Sequence, residues 1–230
     1  MAIGPSSRGT LSRQVLADHV YDELMVAFMD GRLEADEALN IDSLARDLEI
    51  SQTPIREALA RLESTGLVIR TALKGYRVAP LFSLEEVVEL MNARQLIEPE
   101  NAFLACSRST DALVAQLEQT IVDLDRSSEQ ADSVATIRPY WQADERFHRL
   151  IAESTGNRFL LAAYTALGGH VQRFRLFGGL GVSDAGPAIA EHTRVLDAFK
   201  AGDADAARAG MDEHICGVRT RAVADAAGEH

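Results

Sequence analysis

The sequence predicts a mainly α fold in two parts, a small amino-terminal unit of three helices and a β-hairpin followed by an all-α antiparallel helical bundle. Two observations lead to this prediction. Apolar residues recur at helical spacing through most of the chain, and the strand-like runs, residues 67–70 and 76–79, both lie before Pro80. Because 230 residues can form two ordinary domains, we expect a flexible arm over residues 1–10, a first domain over 11–80 and a second over 81–230.

Composition excludes several classes of protein. An apolar content of 47% with 25% charged residues is typical of a soluble globular chain, and no run approaches the roughly 18 apolar residues that a membrane span needs. The first residues lack the apolar core of a secretory signal, and the two cysteines, Cys106 and Cys216, are too few for a disulfide framework. We therefore expect a cytoplasmic protein with no membrane role.

The charge distribution limits where nucleic acid could bind. A net charge of -12 argues against phosphate contacts over most of the surface. Residues 50–80 differ, since they hold five lysines and arginines against two glutamates, a local charge of +3. Any phosphate-binding surface is expected in this segment.

The amino-terminal elements follow from periodicity and turn residues. An amphipathic helix is predicted over residues 16–29, with its apolar face formed by Leu16, Val20, Leu24 and Phe28. A second helix is predicted over 41–48. A third helix follows Ser51, whose hydroxyl is expected to cap it. Pro54 is tolerated in its first turn, and the helix is predicted to end at residue 65, before Gly66. A hairpin with its tip at residues 73–75 then forms a wing.

The segment from Leu44 to Val68, Leu-Ala-Arg-Asp-Leu-Glu-Ile-Ser-Gln-Thr-Pro-Ile-Arg-Glu-Ala-Leu-Ala-Arg-Leu-Glu-Ser-Thr-Gly-Leu-Val, closely resembles the winged helix-turn-helix of GntR-type transcriptional regulators. The resemblance continues through Lys74-Gly-Tyr-Arg-Val78 and covers about 65 residues. It implies sequence-specific binding to double-stranded DNA, with a homodimer on a pseudo-palindromic operator.

The candidate DNA contacts lie at the start of the third helix and at the wing. A recognition helix needs small polar residues and an arginine at its amino-terminal end, where phosphate and base edges are reached. The candidates are Ser51, Gln52, Thr53, Arg56, Lys74 and Gly75. The resemblance implies that Arg56 contacts guanine, that Gln52 and Thr53 contact bases or phosphate, and that the wing residues approach the minor groove. Gln52 departs from the arginine of many relatives and suits adenine better.

The alternative is a plain helical hairpin with a solvated polar surface. Under either interpretation the apolar positions of the two helices form the core, and these are Leu44, Ala45, Leu48, Ala58, Leu59 and Leu62. Arg46 and Arg61 suit DNA contact and ordinary surface equally.

After Pro80 the pattern is helical throughout. Ser83-Leu-Glu-Glu86 is a capping box, and the helix that follows reaches Cys106 with Pro99 as an expected kink. Five further helices are predicted over residues 111–128, 134–154, 157–177, 186–201 and 204–226. On the fourth of the six helices, Arg173 and Arg175 point to opposite sides, so at most one can face a cavity and solvated surface is expected for each.

Four polar residues of this domain could bind a metal. Asp144 and His148 are four residues apart and share one helix face, while His192 and His214 lie on later helices. Three imidazoles and one carboxylate suit zinc or nickel better than magnesium or calcium. Spacing alone does not distinguish a metal site from ordinary polar bonding between helices.

Landmarks along the region are similar to the FCD effector domain that follows GntR-type winged helices. They are Arg94-Gln-Leu-Ile-Glu98, Asp144-Glu-Arg-Phe-His148, Gly156-Asn157, Glu191-His192 and His214-Ile215. The resemblance, to FadR-like regulators with the shorter, VanR-like six-helix variant of the domain, implies that Asp144, His148, His192 and His214 ligate a divalent transition metal. It also implies that a small organic acid fills the open coordination positions. Arg94 is the candidate for binding the effector, although it could instead pair with Glu98 on the next turn.

We therefore expect a DNA-binding regulator, in the first instance a repressor, whose operator affinity depends on a carboxylate effector at a metal site. One alternative makes the metal itself the signal, with no organic effector. The other is a helical metal-dependent hydrolase, but no general base stands beside the four candidate ligands.

Overall fold

The computed structural model describes residues 13–29, 32–72, 74–129, 134–177 and 185–227. The chain divides into two compact units, Met1–Ala79 and Pro80–His230. The expected arm, residues 1–10, and Leu73 at the hairpin tip lie outside the described residues.

The amino-terminal unit consists of three helices and a small sheet. The helices are α1 (Arg13–Met29), α2 (Ile41–Asp47) and α3 (Gln52–Ser64), and the strands are β1 (Ala38–Leu39), β2 (Val68–Thr71) and β3 (Gly75–Val78). The apolar face of α1 packs against α3, and both contribute fully or almost fully buried side chains, among them Val20, Phe28, Ile55, Leu59 and Leu62. Because one face of α3 is buried in this core, its opposite face is exposed to solvent.

Local hydrogen bonds explain where these helices begin and end. Asn40 caps α2, since its side chain accepts a hydrogen bond from the backbone of Ser43. Helix α3 ends in a Schellman motif, in which Gly66 has φ +74° and the Leu67 backbone donates to Leu62. Ser51 is the residue that precedes α3, but its side chain makes no capping hydrogen bond, so the expected hydroxyl cap is wrong.

The sheet has the order β1-β3-β2 and both pairs are antiparallel. Val68 pairs with Val78 and Thr71 with Gly75, which forms the predicted wing. The strand β1, in which Ala38 pairs with Arg77, was not predicted because two residues show no alternation.

Three expected core residues, Leu44, Ala45 and Leu48, are only half-buried, since the seven-residue helix α2 leaves one side open to solvent.

The carboxy-terminal unit contains six helices among the described residues. They are α4 (Leu84–Cys106), α5 (Asp111–Ser128), α6 (Val134–Ser154), α7 (Arg158–Phe177), α8 (Ala185–Ala201) and α9 (Ala204–Ala227). Both hydrogen bonds of the Ser83–Glu86 capping box are present at the start of α4. Each of these six helices agrees with its predicted range to within one residue at both ends. The mainly α fold class is therefore confirmed.

The bundle has a core that surrounds a few buried polar groups. Helix α4 packs along α9, and α5, α6 and α8 contribute the rest of the main apolar cluster. Its largest fully buried side chains are Leu117, Phe147, Ile151, Met211 and Ile215. A second cluster, around Met91 and Phe174, joins α4, α7 and α9. None of the helices described is long and apolar enough to cross a membrane.

Candidate DNA interface and metal centre

The exposed side of α3 carries the polar residues that the sequence singled out. Ser51, Gln52, Thr53 and Arg56 are all exposed, while Ile55 on the other side of the helix is fully buried. The first turn of α3 contains no acidic residue of its own, and the backbone N–H groups there form the positive end of the helix dipole. This end of α3 is therefore suited to phosphate and base edges.

A chain of hydrogen bonds orients two of these side chains. The Arg56 guanidinium donates to Oε1 of Gln52 over 3.1 Å, and Nε2 of Gln52 donates to Oδ1 of Asp42 over 2.5 Å. Asp42 lies on α2, so the preceding helix determines which way the Gln52 amide points. Arg61, in contrast, lies 2.5 Å from Asp18 and over the ring of Tyr21, and thus ties α3 to α1.

The wing exposes Lys74 and Gly75 at its tip. Gly75 has φ +83°, a conformation that favours glycine, and no atom lies within 4 Å of the position that a Cβ would take. Glycine is therefore required by the turn rather than by crowding within the protein. The lysine remains available for a phosphate.

Three helices of the bundle bring the four predicted metal ligands together. Asp144 and His148 project from α6, His192 from α8 and His214 from α9, and all four side chains are buried. One ligand atom from each residue lies within 4.8 Å of the others. Residues separated by up to 70 positions in the chain thus form one polar cluster inside an apolar bundle.

Two distances within the cluster are close to those between the ligands of one metal ion, while Nε2 of His148 and Oδ1 of Asp144 are 4.0 Å apart. Nε2 of His148 lies 3.1 Å from Nε2 of His192, which in turn lies 3.5 Å from Oδ1 of Asp144. Ligands of a tetrahedral site with bonds of 2.0–2.1 Å are separated by about 3.4 Å. The donor set, three imidazoles and a carboxylate, also belongs to transition-metal chemistry.

Burial favours the protonation state that metal binding needs. Burial is the main cause that lowers the pKa of His192 and of His214 well below the usual value, and neighbouring histidines and Arg94 lower it further. Both rings are therefore neutral near pH 7. Neutral imidazole is the form that ligates metals.

Glu98 supports His148 from α4. Its Oε2 lies 2.6 Å from Nδ1 of His148, and its Oε1 accepts a hydrogen bond of 2.6 Å from Nε of Arg94. Burial alone would raise the pKa of Glu98, but the charges of Arg94 and His148 outweigh it and hold this pKa well below its usual range. Of the two roles left open for Arg94, the pair with Glu98 is the one present in the structure.

Glu191 supports His214 in the same way. Its Oε2 lies 2.9 Å from Nδ1 of His214, and both of its oxygens accept hydrogen bonds from Arg221, at 2.8 and 2.9 Å. Such carboxylate partners on the second ring nitrogen orient the histidine ligands of metal sites.

Two arginines of α7 are not where the sequence suggested. Arg175 forms an ion pair with Oδ2 of Asp144, and Arg173 donates to the backbone oxygen of Pro80 and stacks 3.8 Å over Phe82. We expected both arginines to lie on the solvated surface, and this is wrong, since each side chain is bound by a residue from another segment of the chain. Helical spacing shows that they point apart but cannot show what each one meets.

The sequence did not assign a role at the cluster to Arg175, Glu191 or Arg221. Glu191 was noted only as a landmark beside His192, although a glutamate next to a candidate ligand is a usable signal. Arg221 is 30 positions from Glu191, and no local pattern relates the two. For Arg175 the signal is equally absent.

The first unit is a winged helix-turn-helix whose third helix exposes polar residues. The second unit is a helical bundle that buries a cluster of possible ligand residues. This combination is typical of two-domain DNA-binding regulators. Residues 16–78 match the profile of the bacterial regulatory proteins of the gntR family, and residues 89–216 match the FCD domain. The chain belongs to the GntR family and carries an FCD domain. It is a DNA-binding transcriptional regulator and not an enzyme, as its relatives also are by name.

Three relatives illustrate the similarity. The "Nta operon transcriptional regulator" of Aminobacter aminovorans is 34% identical over 54% of this chain and 57% of its own length. The "Probable D-xylose utilization operon transcriptional repressor" of Paenarthrobacter nicotinovorans is 27% identical over 89% of this chain and 88% of its own. The "Putative L-lactate dehydrogenase operon regulatory protein" of Escherichia coli (strain K12) is 29% identical over 89% and 85%.

Solved structures share the fold. E. coli McbR/YncC has a TM-score of 0.71 with 22% identity, over 90% of this chain and 96% of its own. A GntR-type putative transcriptional regulator from Rhodococcus sp. RHA1 has a TM-score of 0.72 with 18% identity, over 93% and 98%. At these identities the likeness concerns the fold alone.

Proposed function

We propose that this regulator is a homodimeric repressor whose affinity for a pseudo-palindromic operator depends on a small carboxylate effector held at a metal ion. The ion would be bound by Asp144, His148, His192 and His214. The observation that supports this proposal is the convergence of these four buried side chains from three helices.

The donor set and the local charge support the two ligands. Three imidazoles and one carboxylate suit zinc or nickel. When bound, such an ion supplies coordination positions for a carboxylate oxygen. Arg94 and Arg175 both lower the pKa of His192, which places two cations near the cluster. Each is paired with a carboxylate, Glu98 or Asp144, and an anionic effector would share or replace that partner.

Arg94 is our candidate for contact with the effector, and its other contacts are compatible with this role. Two of its nitrogens are used by Glu98, but Nη1 is directed at the sulfur of Met91, 3.9 Å away, which is a weak acceptor. A carboxylate would be a stronger one. Arg175 already binds Oδ2 of Asp144 and is a second candidate.

On DNA, we propose that Arg56 contacts guanine and that Gln52 and Thr53 contact bases or phosphate, with Lys74 at the wing. An effector that favours one arrangement of the two winged helices changes operator affinity, and operator DNA must change effector affinity by the same factor. The two half-sites of the operator require two copies of the chain.

The first test combines metal analysis with thermal unfolding. Purified wild type, His192→Ala and His170→Ala are analysed for zinc and nickel and then unfolded with L-lactate, other 2-hydroxy acids, dicarboxylates, sugar acids and D-xylose. L-Lactate and D-xylose are included because two relatives are named for an L-lactate dehydrogenase operon and for D-xylose utilization. His170 is an exposed histidine outside the cluster and serves as the matched control.

We expect about one metal per chain in wild type and His170→Ala but not in His192→Ala. One acid should raise the melting temperature of the metal-loaded protein and not that of the metal-free protein. At a concentration of a hundred times its dissociation constant, the acid should stabilise the folded state by about 2.7 kcal/mol. Absence of metal from wild type after incubation with zinc or nickel would contradict the metal site. Metal without any stabilising acid would support the alternative in which the metal is the signal, which operator binding at increasing metal concentration then measures.

The DNA part is tested separately by selecting bound sequences from a random duplex pool. We expect an inverted repeat, and sedimentation of the complex should give two chains per duplex. Enrichment of a single half-site by one chain would contradict the homodimer.

A further inference from the structure

The two carboxylates behind the histidines belong to chains of the same kind. In each, an arginine binds a glutamate whose carboxylate lies beside Nδ1 of a histidine of the cluster. In Arg94–Glu98–His148 the approach is 2.6 Å, and in Arg221–Glu191–His214 it is a hydrogen bond of 2.9 Å. A hydrogen bond from Nδ1 of His214 to the carboxylate places the proton on that nitrogen, which leaves Nε2 as the donor atom for a metal. The second chain has an additional feature that shows how closely it is packed.

Gly217 lies on α9 one turn after His214, next to the Glu191–Arg221 pair. A Cβ at this position would lie 2.6 Å from Oε1 of Glu191 and 2.9 Å from Nη1 of Arg221, so the ends of these two side chains would have to shift to admit it. Glycine is the least favourable residue inside a helix except proline. Within the 24-residue helix α9, a glycine at this position leaves the Glu191–Arg221 pair in its present geometry.

We propose that Glu191 is a positioning residue that holds His214 with its Nδ1 protonated and its Nε2 toward the other three ligands. Arg221 anchors the carboxylate by two hydrogen bonds, and Gly217 provides the room for it. The consequence for metal affinity rests on the metal site proposed above. The consequence for the ring of His214 does not, because the contacts exist in the protein alone.

The first experiment therefore needs no metal. Long-range ¹H–¹⁵N spectra of the metal-free, ¹⁵N-labelled full chain report which nitrogen of each imidazole is protonated, and the His214 signals are assigned with His214→Gln. We expect the Nδ1–H form in wild type. We expect a shift toward the Nε2–H form in Glu191→Ala and in Gly217→Ala, because the first removes the acceptor and the second displaces it.

The second experiment measures zinc affinity by competition with a chelator. We expect a tenfold to hundredfold loss in Glu191→Ala and Gly217→Ala. The matched controls are Glu213→Ala, an exposed glutamate next to His214, and Gly168→Ala, a glycine of α7 with open space at its Cβ position. Both controls should bind zinc as wild type does.

The outcomes separate this proposal from the metal site itself. If wild type binds zinc and both Glu191→Ala and Gly217→Ala bind it equally well, the positioning role is overturned and the metal site stands. If wild type binds no zinc, the proposed function fails, and the proton position of His214 decides the positioning role by itself. The same proton position on His214 in wild type and in Glu191→Ala overturns the positioning role. Should Glu191→Ala not fold, Gly217→Ala decides, since alanine favours the helix.

Discussion

Oε2 of Glu98 lies 2.6 Å from Nδ1 of His148, and the same carboxylate binds Arg94 at 2.6 Å, with both the glutamate and the arginine almost fully buried. One carboxylate on α4 therefore neutralises a buried guanidinium and orients a histidine on α6. Removing one member of such a pair leaves the other charge without compensation.

Glu98→Ala is accordingly expected to lower the free energy of unfolding of the metal-free protein by about 3–5 kcal/mol. The control is Glu100→Ala, because Glu100 pairs with Arg208 at 2.8 Å on the surface and such pairs contribute about 1 kcal/mol or less. Urea unfolding at pH 7 measures both. Equal losses in the two variants would contradict the role given to the buried pair.

The metal-free protein should lose stability as the pH falls below about 6.5. The folded pKa of His192 and of His214 is lowered mainly by burial, so below the unfolded value the unfolded chain binds protons that the folded protein does not. The unfolded state then gains about 1.4 kcal/mol per pH unit for each histidine. Urea unfolding between pH 5 and 8 measures this slope, which His192→Gln should reduce. A stability that rises on acidification through this range would contradict the buried, neutral state of the two rings.

Arg56→Ala is expected to weaken operator binding by about 1–3 kcal/mol and to relax base preference at one position of each half-site. Arg61→Ala should leave that preference unchanged, because Arg61 is engaged by Asp18 and Tyr21. Binding to the selected operator and to single-base variants, at fixed salt, makes the comparison. If Arg61→Ala relaxed specificity and Arg56→Ala did not, the assignment of base contact to Arg56 would be wrong.

Lys74→Ala should weaken binding to all duplexes alike and reduce the slope of log affinity against log salt by about 1, as the loss of one phosphate contact does. Lys200→Ala provides the control, since Lys200 pairs with Glu118 on the carboxy-terminal unit. Titrations at several salt concentrations give the slope. An unchanged slope in Lys74→Ala would exclude a phosphate contact at the wing tip.

Glu49 has φ +54°, a left-handed conformation, in the turn between α2 and α3, where its backbone donates to Arg46. Glycine adopts this conformation without the cost of roughly 1 kcal/mol that other residues incur. Glu49→Gly is therefore expected to raise the melting temperature, while Glu63→Gly in the last turn of α3 should lower it, with about 1 kcal/mol as the upper limit set by a helix interior. Calorimetry of both variants compares the same substitution in two backbone conformations. Destabilisation by Glu49→Gly would show that its side chain contributes more than its backbone strain costs.

Most of the fold was predictable because helical periodicity and capping residues act within a few positions. Ser83, Gly66 and the apolar stripe of α1 each specify a boundary or a face from their neighbours alone. The strand β1 and the partial exposure of the predicted helix α2 were missed because both depend on what packs beside these segments. Asp144 and His148 were linked by spacing, but the resemblance to a known domain was needed to join them to His192 and His214.

By itself, the sequence determined the order and limits of the helices, the polar face of α3 and the identity of the cluster residues, since all of these depend on local pattern or on a recognised motif. Only the tertiary structure decided which partner each buried charge takes. Arg94 bonds Glu98, Arg175 bonds Asp144, and Arg221 reaches Glu191 across 30 positions. A buried ionic group must find a counter-charge wherever the packed helices bring one, and that depends on how α4, α6, α7, α8 and α9 pack together rather than on neighbouring residues in the chain.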